Sequence, residues 1–257
     1  MFFVFNKQKI ITYFVSLVTV LTLFFVAGNL KKEETVETSA GNEKLLPIYD
    51  VETKEKKVAL TMNCAWNDSD IDKILEILKN NDVKITFFMV GDWIDKYEEQ
   101  VKKIYDAGNE IANHGNNHKH VNNLSYEENV QEIKLANEKI KNITGIENKL
   151  YRTPYGEYNN TAIKAAKDSG MITIQWSLDT LDYTGLTGEV MWKRLEGKLK
   201  PGDIILSHNG TEHTADSLDM LIKNIKKEGF EIVKISDLIY KENYEINING
   251  TQIKKEK

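Results

Sequence analysis

Gly108-Asn-Glu-Ile-Ala-Asn-His114-Gly-Asn-Asn-His118-Lys-His120 is the stretch around which the rest of the chain is organised. It places two imidazoles four residues apart, directly after the short apolar run Ile111-Ala112, which is typical of the end of a buried strand. Histidines at this spacing can direct their ring nitrogens to one point, as a divalent metal ion requires. An isolated pair of this kind is equally compatible with a polar loop whose histidines form only local hydrogen bonds, so the remaining sequence has to decide.

The composition limits the class of protein. The chain has 257 residues, of which 41% are hydrophobic, enough for one sizeable core. A formal net charge of −5 describes a mildly acidic surface without the basic face that a nucleic-acid partner needs, and it favours a neutral, sugar-like ligand. A single cysteine, Cys64, cannot form an internal disulfide. We expect one folded domain that is monomeric.

The N-terminus differs from the rest of the chain. Residues 1–9 predict a cytoplasmic n-region with Lys7 and Lys9, and residues 10–28 form an uncharged run that matches roughly the thickness of a hydrocarbon core. Its length favours a signal anchor, a single membrane helix, over a signal peptide, although small residues at its end leave cleavage as an alternative. The preceding lysines orient the remainder outside the cytoplasm. We therefore expect an extracytoplasmic domain held at the cell membrane, or a secreted one if the signal is cleaved.

Three segments follow the apolar run. Residues 29–45 are charged and nearly free of large apolar side chains, which predicts a disordered stalk. Residues 46–242 predict the folded domain. Residues 243–257 form a polar, lysine-rich tail that we expect to be loosely ordered.

Within the predicted domain, strand-like apolar runs alternate with amphipathic helical stretches. Strands are predicted at 58–62, 83–90, the run ending at 112, 150–152, 172–176, 204–207 and 231–235, and helices at 70–79, 94–107, 125–144, 161–169, 189–199 and 217–228. Repeated β-α units whose strands are apolar on both faces predict a parallel sheet of about seven strands, enough to curl into a barrel.

The reactive side chains follow the ends of these strands. The residues concerned are Asn63, Cys64, His114, His118, Arg152, Asp179, Asp182 and His208. Barrels of this type carry their active sites on the loops at the carboxyl ends of the strands. Placement of so many polar groups at one face favours metal binding by His114 and His118 over a role limited to local hydrogen bonds.

Five local patterns occur in order along the domain. They are 85–91 (ITFFMVG), 108–118, Arg152-Thr-Pro-Tyr-Gly156, Trp176-Ser-Leu-Asp-Thr-Leu-Asp182 and Leu206-Ser-His208. Together they resemble the polysaccharide deacetylases with a NodB-type domain, carbohydrate esterase family 4, over residues 56–240. The resemblance implies an α/β fold, a distorted (β/α)7-type barrel. It also implies metal-dependent removal of N-acetyl groups from a cell-wall or related polysaccharide, such as peptidoglycan or a chitin-like oligomer.

The resemblance also implies roles for individual residues. His114 and His118 would hold the metal, and His208 would be the general acid that protonates the leaving amine, with Asp182 hydrogen-bonded to it. Arg152 would orient the catalytic base.

The resemblance of the third and fourth patterns, 152–156 and 176–182, also implies contacts with the substrate. The backbone N–H of Tyr155 would help to stabilise the oxyanion, and Pro154 lines the groove beside it. Trp176 is a candidate for substrate contact, for which core packing is the alternative. Tyr183, where the family usually has tryptophan, keeps an aromatic wall for a sugar ring.

The chain departs from the family at its first motif. Two adjacent aspartates, a general base and then a metal ligand, are replaced by Asn63 and Cys64. An amide cannot take a proton from water, so Asn63 can position a water molecule but cannot serve as the base. A thiolate is a good zinc ligand, so Cys64 with the two histidines predicts a zinc site. The alternative is a thiol packed under the barrel rim.

Other residues have simpler interpretations. Asp68 and Asp70 are candidates for a substitute base, but both positions suit the start of the following helix, with Asp68 or Ser69 as its cap. Surface positions are expected for His120 and His213, and core or groove packing for Trp66, Trp93 and Trp192.

Two functions from different classes follow from these observations. The first is an anchored extracytoplasmic deacetylase with a modified base, favoured by the presence of Arg152, Asp182 and His208. The second is a pseudoenzyme that binds glycan without hydrolysing it, favoured by Asn63.

Overall fold

The computed structural model of the protein describes residues 44–255. The predicted n-region, the membrane segment 10–28 and nearly all of the predicted stalk lie outside the described residues. Within the described part of the chain, no helix has both the length and the apolar composition needed to cross a membrane.

Short strands and longer helices alternate along the described chain. The strands are β1 Asp50–Val51, β2 Lys57–Cys64, β3 Thr86–Met89, β4 Glu110–Asn113, β5 Leu150–Tyr151, β6 Ile172–Thr173, β7 Leu178–Asp179, β8 Ile204–His208, β9 Glu231–Ile232, β10 Tyr244–Ile246 and β11 Thr251–Lys254. The α-helices are α1 Ile71–Asn80, α2 Gly91–Lys96, α3 Glu98–Asp106, α4 Tyr126–Thr144, α5 Asn160–Asp168, α6 Gly188–Leu195, α7 Thr214–Lys227 and α8 Ile235–Leu238.

The main sheet is parallel and curled. Its strand order is β6-β5-β4-β3-β2-β8-β7, and β9 also pairs with β2. Each neighbouring pair is parallel, so the carboxyl ends of all these strands lie at one edge. This arrangement confirms the predicted distorted β/α barrel, with the long strand β2 at its centre.

Most helices form where the sequence pattern predicted them, but the single helix predicted at 94–107 is divided into α2 and α3, and α6 ends at Leu195 instead of residue 199. In α1 the buried residues Ile71, Ile74 and Leu78 follow the helical period and face the sheet. Helix α4 begins with the predicted capping box, in which Ser125 and Glu128 each accept a hydrogen bond from the other's backbone N–H. It ends at Gly145, whose φ of 72° is the left-handed conformation that glycine adopts most readily.

Two layers of core lie on opposite faces of β2. Val58, Leu60, Met62 and Cys64 belong to the cluster that also contains the buried faces of helices α1, α3, α6 and α7. Residues between them point the other way, toward the barrel interior, because side chains alternate along a strand. This alternation determines which residues of β2 can reach the active-site edge.

The last predicted strand is shorter than expected and is followed by a helix. Strand β9 ends at Ile232, and α8 follows, burying Ile235 and Leu238. Side chains accept hydrogen bonds from the first two N–H groups of α8: Ile235 N donates to Thr86 Oγ1 at 2.9 Å, and Ser236 N donates to Glu110 Oε2 at 3.2 Å. The apolar residues that had suggested a longer strand therefore form a helical turn, which lies against the amino ends of β3 and β4.

The expectation of a loosely ordered tail is wrong for the described residues. Strands β10 and β11 form an antiparallel hairpin, and β11 pairs in parallel with β1. Gln252 in β11 is fully buried, and its side chain bonds both the N–H and the carbonyl of Tyr240. Pairing with a strand far away in sequence, which composition does not reveal, orders this polar segment.

A truncation that ends the chain after Asn243 is expected to lower the melting temperature by several degrees. It removes the whole hairpin, including β11, the strand that pairs with β1. In a domain of this size each lost kcal/mol corresponds to about 2–4 °C. Thermal unfolding followed by circular dichroism measures the change. A matched truncation that removes only residues 256–257 should melt like the full chain, and equal melting of the two truncations would contradict a structural role for the hairpin.

Candidate functional site

One pocket at the carboxyl edge of the sheet gathers most of the predicted site residues. It has a volume of about 390 Å³, and its lining includes Asn63, His114, His118, Tyr155, Trp176 and His208. These residues come from the ends of β2 and β8 and from the loops after β4, β5 and β6, as expected for a parallel barrel.

His208 and Asp182 form the best-defined polar pair of the site. Asp182 is fully buried, and its Oδ1 lies 2.8 Å from His208 Nδ1. The carboxylate also accepts hydrogen bonds from the His208 N–H, the Tyr183 N–H and the Thr214 hydroxyl. With Nδ1 bound to the carboxylate, His208 presents Nε2 to the pocket, which is the orientation a general acid or base requires.

Arg152 is fully buried beneath the pocket. Its Nη1 donates to Thr61 Oγ1 and Asn63 Oδ1, both at 2.9 Å, and its Nη2 donates to the Gln175 carbonyl at 3.1 Å. The guanidinium carbon lies 3.9 Å from the centre of the Phe88 ring. Burial lowers the pKa of Arg152 to about 9, so the group is cationic at neutral pH.

Asn63 occupies the place between Arg152 and the pocket. Its side-chain oxygen accepts from Arg152 as a carboxylate at this position would, and the residue is only 5% exposed. The structure thus brings Asn63 and Arg152 together as predicted. The amide has no basic lone pair for a proton from water.

His114 and His118 lie side by side in the pocket wall. Their ring centres are 5.0 Å apart, and His114 Nδ1 bonds the Arg152 carbonyl at 2.8 Å, which leaves Nε2 free. Burial lowers the pKa of both imidazoles, with a further contribution from the neighbouring histidines. Both are therefore neutral at pH 7, and the neutral form is the one that binds a metal ion.

The loop that carries the histidines is held by a residue that the sequence analysis did not identify. Glu132 in α4 is buried, and its Oε2 accepts from the N–H groups of Asn116 at 3.0 Å and Asn117 at 2.8 Å. His118 follows directly with a φ of 52°, a left-handed conformation that is uncommon outside glycine. The signal in the sequence was an acidic residue next to the apolar residues Ile133, Ala136 and Ile140 on the buried face of α4.

The prediction that Cys64 is a metal ligand is corrected by the structure. Cys64 is the last residue of β2 and pairs in register with Met89, so its side chain lies on the opposite face from that of Asn63. It is fully buried in the apolar cluster beneath the helices and does not line the pocket. Burial raises the pKa of its thiol well above the ordinary value. Cys64 therefore fits the alternative interpretation, a thiol packed in the apolar core.

Cys64 should therefore behave as an inert core residue. In the folded protein its reaction with a thiol reagent such as DTNB should be very slow and become fast on denaturation, because the thiol is buried and protonated. Cys64→Ala should lower the free energy of unfolding by about 1 kcal/mol and leave the affinity for divalent ions unchanged. A large loss of metal affinity in this variant would restore Cys64 as a ligand.

The donor set for a metal ion is consequently smaller than predicted. Among residues 44–255, no group of three or more His, Cys, Asp or Glu side chains is arranged to hold an ion. His114 and His118 fit an ion as two neutral nitrogen donors, with its other positions left to water or substrate. Two protein ligands instead of three imply weaker binding than in a closed site.

Neither of the candidates for a substitute base, Asp68 and Asp70, lines the pocket. Asp70 accepts from the Gly210 N–H at 2.7 Å and from Asn209 Nδ2 at 3.2 Å, which ties it to the loop after His208. Burial raises the pKa of this carboxyl group. Asp70 itself is the N-cap residue of α1, without a side-chain cap bond, so the prediction of Asp68 or Ser69 as the cap is wrong.

Aromatic rings surround the reactive groups. Trp66 and Tyr183 are each 49% exposed, and their ring centres lie 5.3 and 5.2 Å from that of His208. Tyr155 stacks on His120 with ring centres 4.1 Å apart, so His120 is a surface residue that also supports the rim. Trp176 lines the pocket and also packs against the inner core. Such rings suit the apolar faces of a sugar.

The remaining predicted residues have structural positions. Pro154 is buried at the start of a short 3-10 turn, and Tyr155 within it has a φ of 58°. Trp93 is buried in the core, and Trp192 packs against it. His213 precedes the first residue of α7.

Comparison with known proteins agrees with this geometry. Residues 50–174 match the family model described as polysaccharide deacetylase. The chain is 33% identical to the Bacillus subtilis protein YlxY, covering 75% of this chain and 60% of the relative. It is 30% identical to a peptidoglycan-N-acetylglucosamine deacetylase of Bacillus cereus, covering 74% of this chain and 92% of the relative.

The solved structures that resemble this chain include one described as a pseudoenzyme. BA3943 of Bacillus anthracis, described as a CE4 family pseudoenzyme, superposes with a TM-score of 0.72 at 35% identity, covering 75% of this chain and 68% of that one. A mutant of it, described as having restored enzymatic activity, is equally similar. With the shared barrel and the shared sequence, the chain belongs to the polysaccharide deacetylase family.

Proposed function

We propose that the domain binds an N-acetylated glycan, with peptidoglycan as the polymer, and hydrolyses its N-acetyl groups at a rate limited by the missing base. The observation that carries the proposal is the Asp182–His208 pair, which directs Nε2 of His208 into a pocket walled by aromatic rings. The names of the Bacillus relatives support peptidoglycan as the substrate.

The chemistry is hydrolysis of an amide. Water adds to the acetyl carbonyl, the C–N bond breaks, the amine leaves with a proton and acetate is released. Protonated His208 can donate that proton from Nε2, and buried Asp182 stabilises the imidazolium while fixing its orientation. Asn63, held by Arg152, can hydrogen-bond the attacking water but cannot remove its proton.

A bound divalent ion would polarise the acetyl carbonyl and acidify the attacking water. His114 and His118 are the residues that would hold it, and we propose zinc because imidazole suits it well. The case for zinc rests on these nitrogens alone, since Cys64 faces the core.

The second candidate function is binding of the glycan without turnover. It is favoured by Asn63 and by the incomplete ligand set, and the B. anthracis relative described as a pseudoenzyme is a precedent. In this case the aromatic pocket recognises the polymer, and the Asp182–His208 pair contributes only to the structure of the pocket.

Release of acetate separates the two functions. Purified protein is incubated with N-acetylglucosamine oligomers or peptidoglycan, with and without zinc, and free acetate is measured over time. The His208→Gln variant is the matched control, since it keeps a polar side chain of similar size. Acetate release that depends on His208 supports the hydrolase, whereas binding of the glycan without any acetate supports the second function.

We also propose that the domain lies outside the cytoplasmic membrane and stays attached through residues 10–28, as a monomer. The proposal rests on the uncharged run behind Lys7 and Lys9. Protease added to intact protoplasts is expected to digest the domain. A domain that resists the protease until the protoplasts are lysed would mean the opposite orientation in the membrane. Protein found only in the medium would mean that residues 10–28 are cleaved off.

A further inference from the structure

The two histidines of the pocket wall are held in different ways. The ring of His114 is fixed by a second contact, because its Nδ1 bonds the Arg152 carbonyl at 2.8 Å, as is usual for a metal-binding histidine. The ring of His118 contacts those of His114 and Tyr155, with centres 5.0 and 4.5 Å apart, but it has no hydrogen bond to any other described residue. The direction of the His118 ring therefore depends on the backbone that carries it.

The backbone just before His118 is held by a carboxylate from another element. Glu132 in α4 is only 6% exposed, and its Oε2 accepts hydrogen bonds from two consecutive N–H groups, those of Asn116 and Asn117. Its Oε1 lies 3.1 Å from Nζ of Lys119, whose side chain is 53% exposed. Hydrogen bonds from N–H groups to a carboxylate are stronger than those between neutral groups, and an exposed ion pair contributes little. The two N–H bonds are therefore the main connection between α4 and the loop.

The carbonyl groups of the same loop are bound by a second helix. The N–H groups of Gly91 and Asp92, at the start of α2, donate to the carbonyls of Gly115 and Asn116, both at 2.9 Å. The approach is close, since a Cβ added at Gly91 would lie 2.3 Å from Asn116 Oδ1 and 3.0 Å from Asn116 Cα. The loop is thus fixed between α2 and Glu132, through its carbonyls on one element and its N–H groups on the other.

We propose that Glu132 is a positioning residue of the metal site: by fixing the backbone before His118, it holds the ring beside that of His114 before an ion arrives. With Cys64 in the core, only two protein nitrogens remain to bind the ion. Two bonds to the ion compensate less than three for the conformational entropy lost when a loop becomes ordered, so order in advance matters more here. The inference rests on the proposed metal site, and it assigns Glu132 no contact with the ion.

The affinity of the full-length chain, purified in detergent, for zinc tests the proposal. Glu132→Leu removes both carboxylate oxygens at similar side-chain size. We expect it to weaken zinc binding about 10–100-fold, the usual effect of losing a group that orients a metal ligand. Competition with a chromophoric chelator measures this affinity without any need for turnover. Hydrogen exchange of the Asn116 and Asn117 amides, measured without zinc, should become faster in the same variant.

Two further substitutions separate hydrogen bonding from charge. Glu132→Gln removes the charge but keeps a carbonyl oxygen that can accept from both N–H groups, so it should bind zinc much as the unmodified protein does. Lys119→Met removes the exposed ion pair and keeps those hydrogen bonds, so it should also have little effect. A loss of affinity in Glu132→Gln as large as in Glu132→Leu would overturn the proposal, because it would show that the negative charge attracts the ion.

Gly91→Ala tests the position of the loop without changing Glu132. The added Cβ forces Asn116 to move, so zinc binding should weaken in this variant as well. Unchanged affinity in a folded Gly91→Ala protein would overturn the proposal, because the position of the loop would then not matter to the ion. This variant also decides the question should Glu132→Leu not fold.

His118→Ala distinguishes failure of this inference from failure of the metal site. If His118→Ala lowers zinc affinity and a folded Glu132→Leu protein does not, the metal site stands and Glu132 is not a positioning residue. If zinc affinity is unchanged in His118→Ala, the metal site itself is wrong and the role of Glu132 falls with it. Acetate release is measured separately, so a protein that binds zinc without hydrolysing glycan still gives a result for Glu132.

Discussion

Asn63→Asp should raise the rate of acetate release by about 10²–10⁴, the usual contribution of a positioned general base. The change replaces one atom of a side chain whose oxygen already lies 2.9 Å from Arg152 Nη1. One carboxylate oxygen would keep that bond, and the other would face the pocket where the amide NH₂ now lies. The new base would then share the pocket with the His208 acid, as amide hydrolysis requires. Initial rates on N-acetylglucosamine oligomers at saturating zinc measure the effect.

Asn63→Ala is the matched control for this prediction. It removes the amide without adding a base, so its rate should not exceed that of the unmodified protein. An Asn63→Asp variant that folds and binds zinc normally but stays at the original rate would contradict the assignment. In that case the missing third metal ligand, and not the base, would be what limits hydrolysis.

Asp182→Asn, introduced into the Asn63→Asp protein, is expected to lower the rate of acetate release by about 10² or more. Asp182 accepts four hydrogen bonds, two on each oxygen. An amide offers one acceptor atom, so its NH₂ must face either the His208 backbone N–H or the His208 ring N–H. Either arrangement sets donor against donor in a buried site, and the imidazolium loses its counter-ion.

The same substitution should also destabilise the fold. A buried donor left without an acceptor costs about 1–3 kcal/mol, which denaturant unfolding can measure. Thr214→Val is the matched control, because it removes one donor from Asp182 and leaves the contact with His208 intact. We expect it to cost stability with a far smaller change in rate. Equal loss of rate in both variants would indicate that Asp182 acts only through folding.

Local pattern was sufficient for the architecture. The spacing of Ile71, Ile74 and Leu78 and the pair Ser125 and Glu128 predicted helices that the structure confirms, because burial period and capping are properties of neighbouring residues. The edge at which the polar residues gather also followed from the chain, since the carboxyl ends of parallel strands share one side of a sheet.

Local sequence pattern was insufficient to predict where the last strand of the barrel ends and that the C-terminal residues form a hairpin. Whether residues 231–235 stay extended depends on the side chains of β3 and β4 that receive the helix N-terminus. Whether residues 244–254 are ordered depends on β1, almost two hundred residues earlier in the chain. Both are decided by partners distant in sequence, whose positions no local window contains.

The site shows the same division. The identities of His114, His118, Arg152, Asp182 and His208 follow from the sequence, because each occurs in a short pattern after a predicted strand. That Cys64 faces the core while Asn63 faces the pocket follows from β2 continuing through both residues, paired with β3. That Asn63 shows its NH₂ group to the pocket follows from Arg152, which can donate but not accept. Composition and spacing therefore specify which groups are present, and strand register and burial decide which of their atoms meet, since hydrogen-bond direction and side-chain facing exist only once the chain is folded.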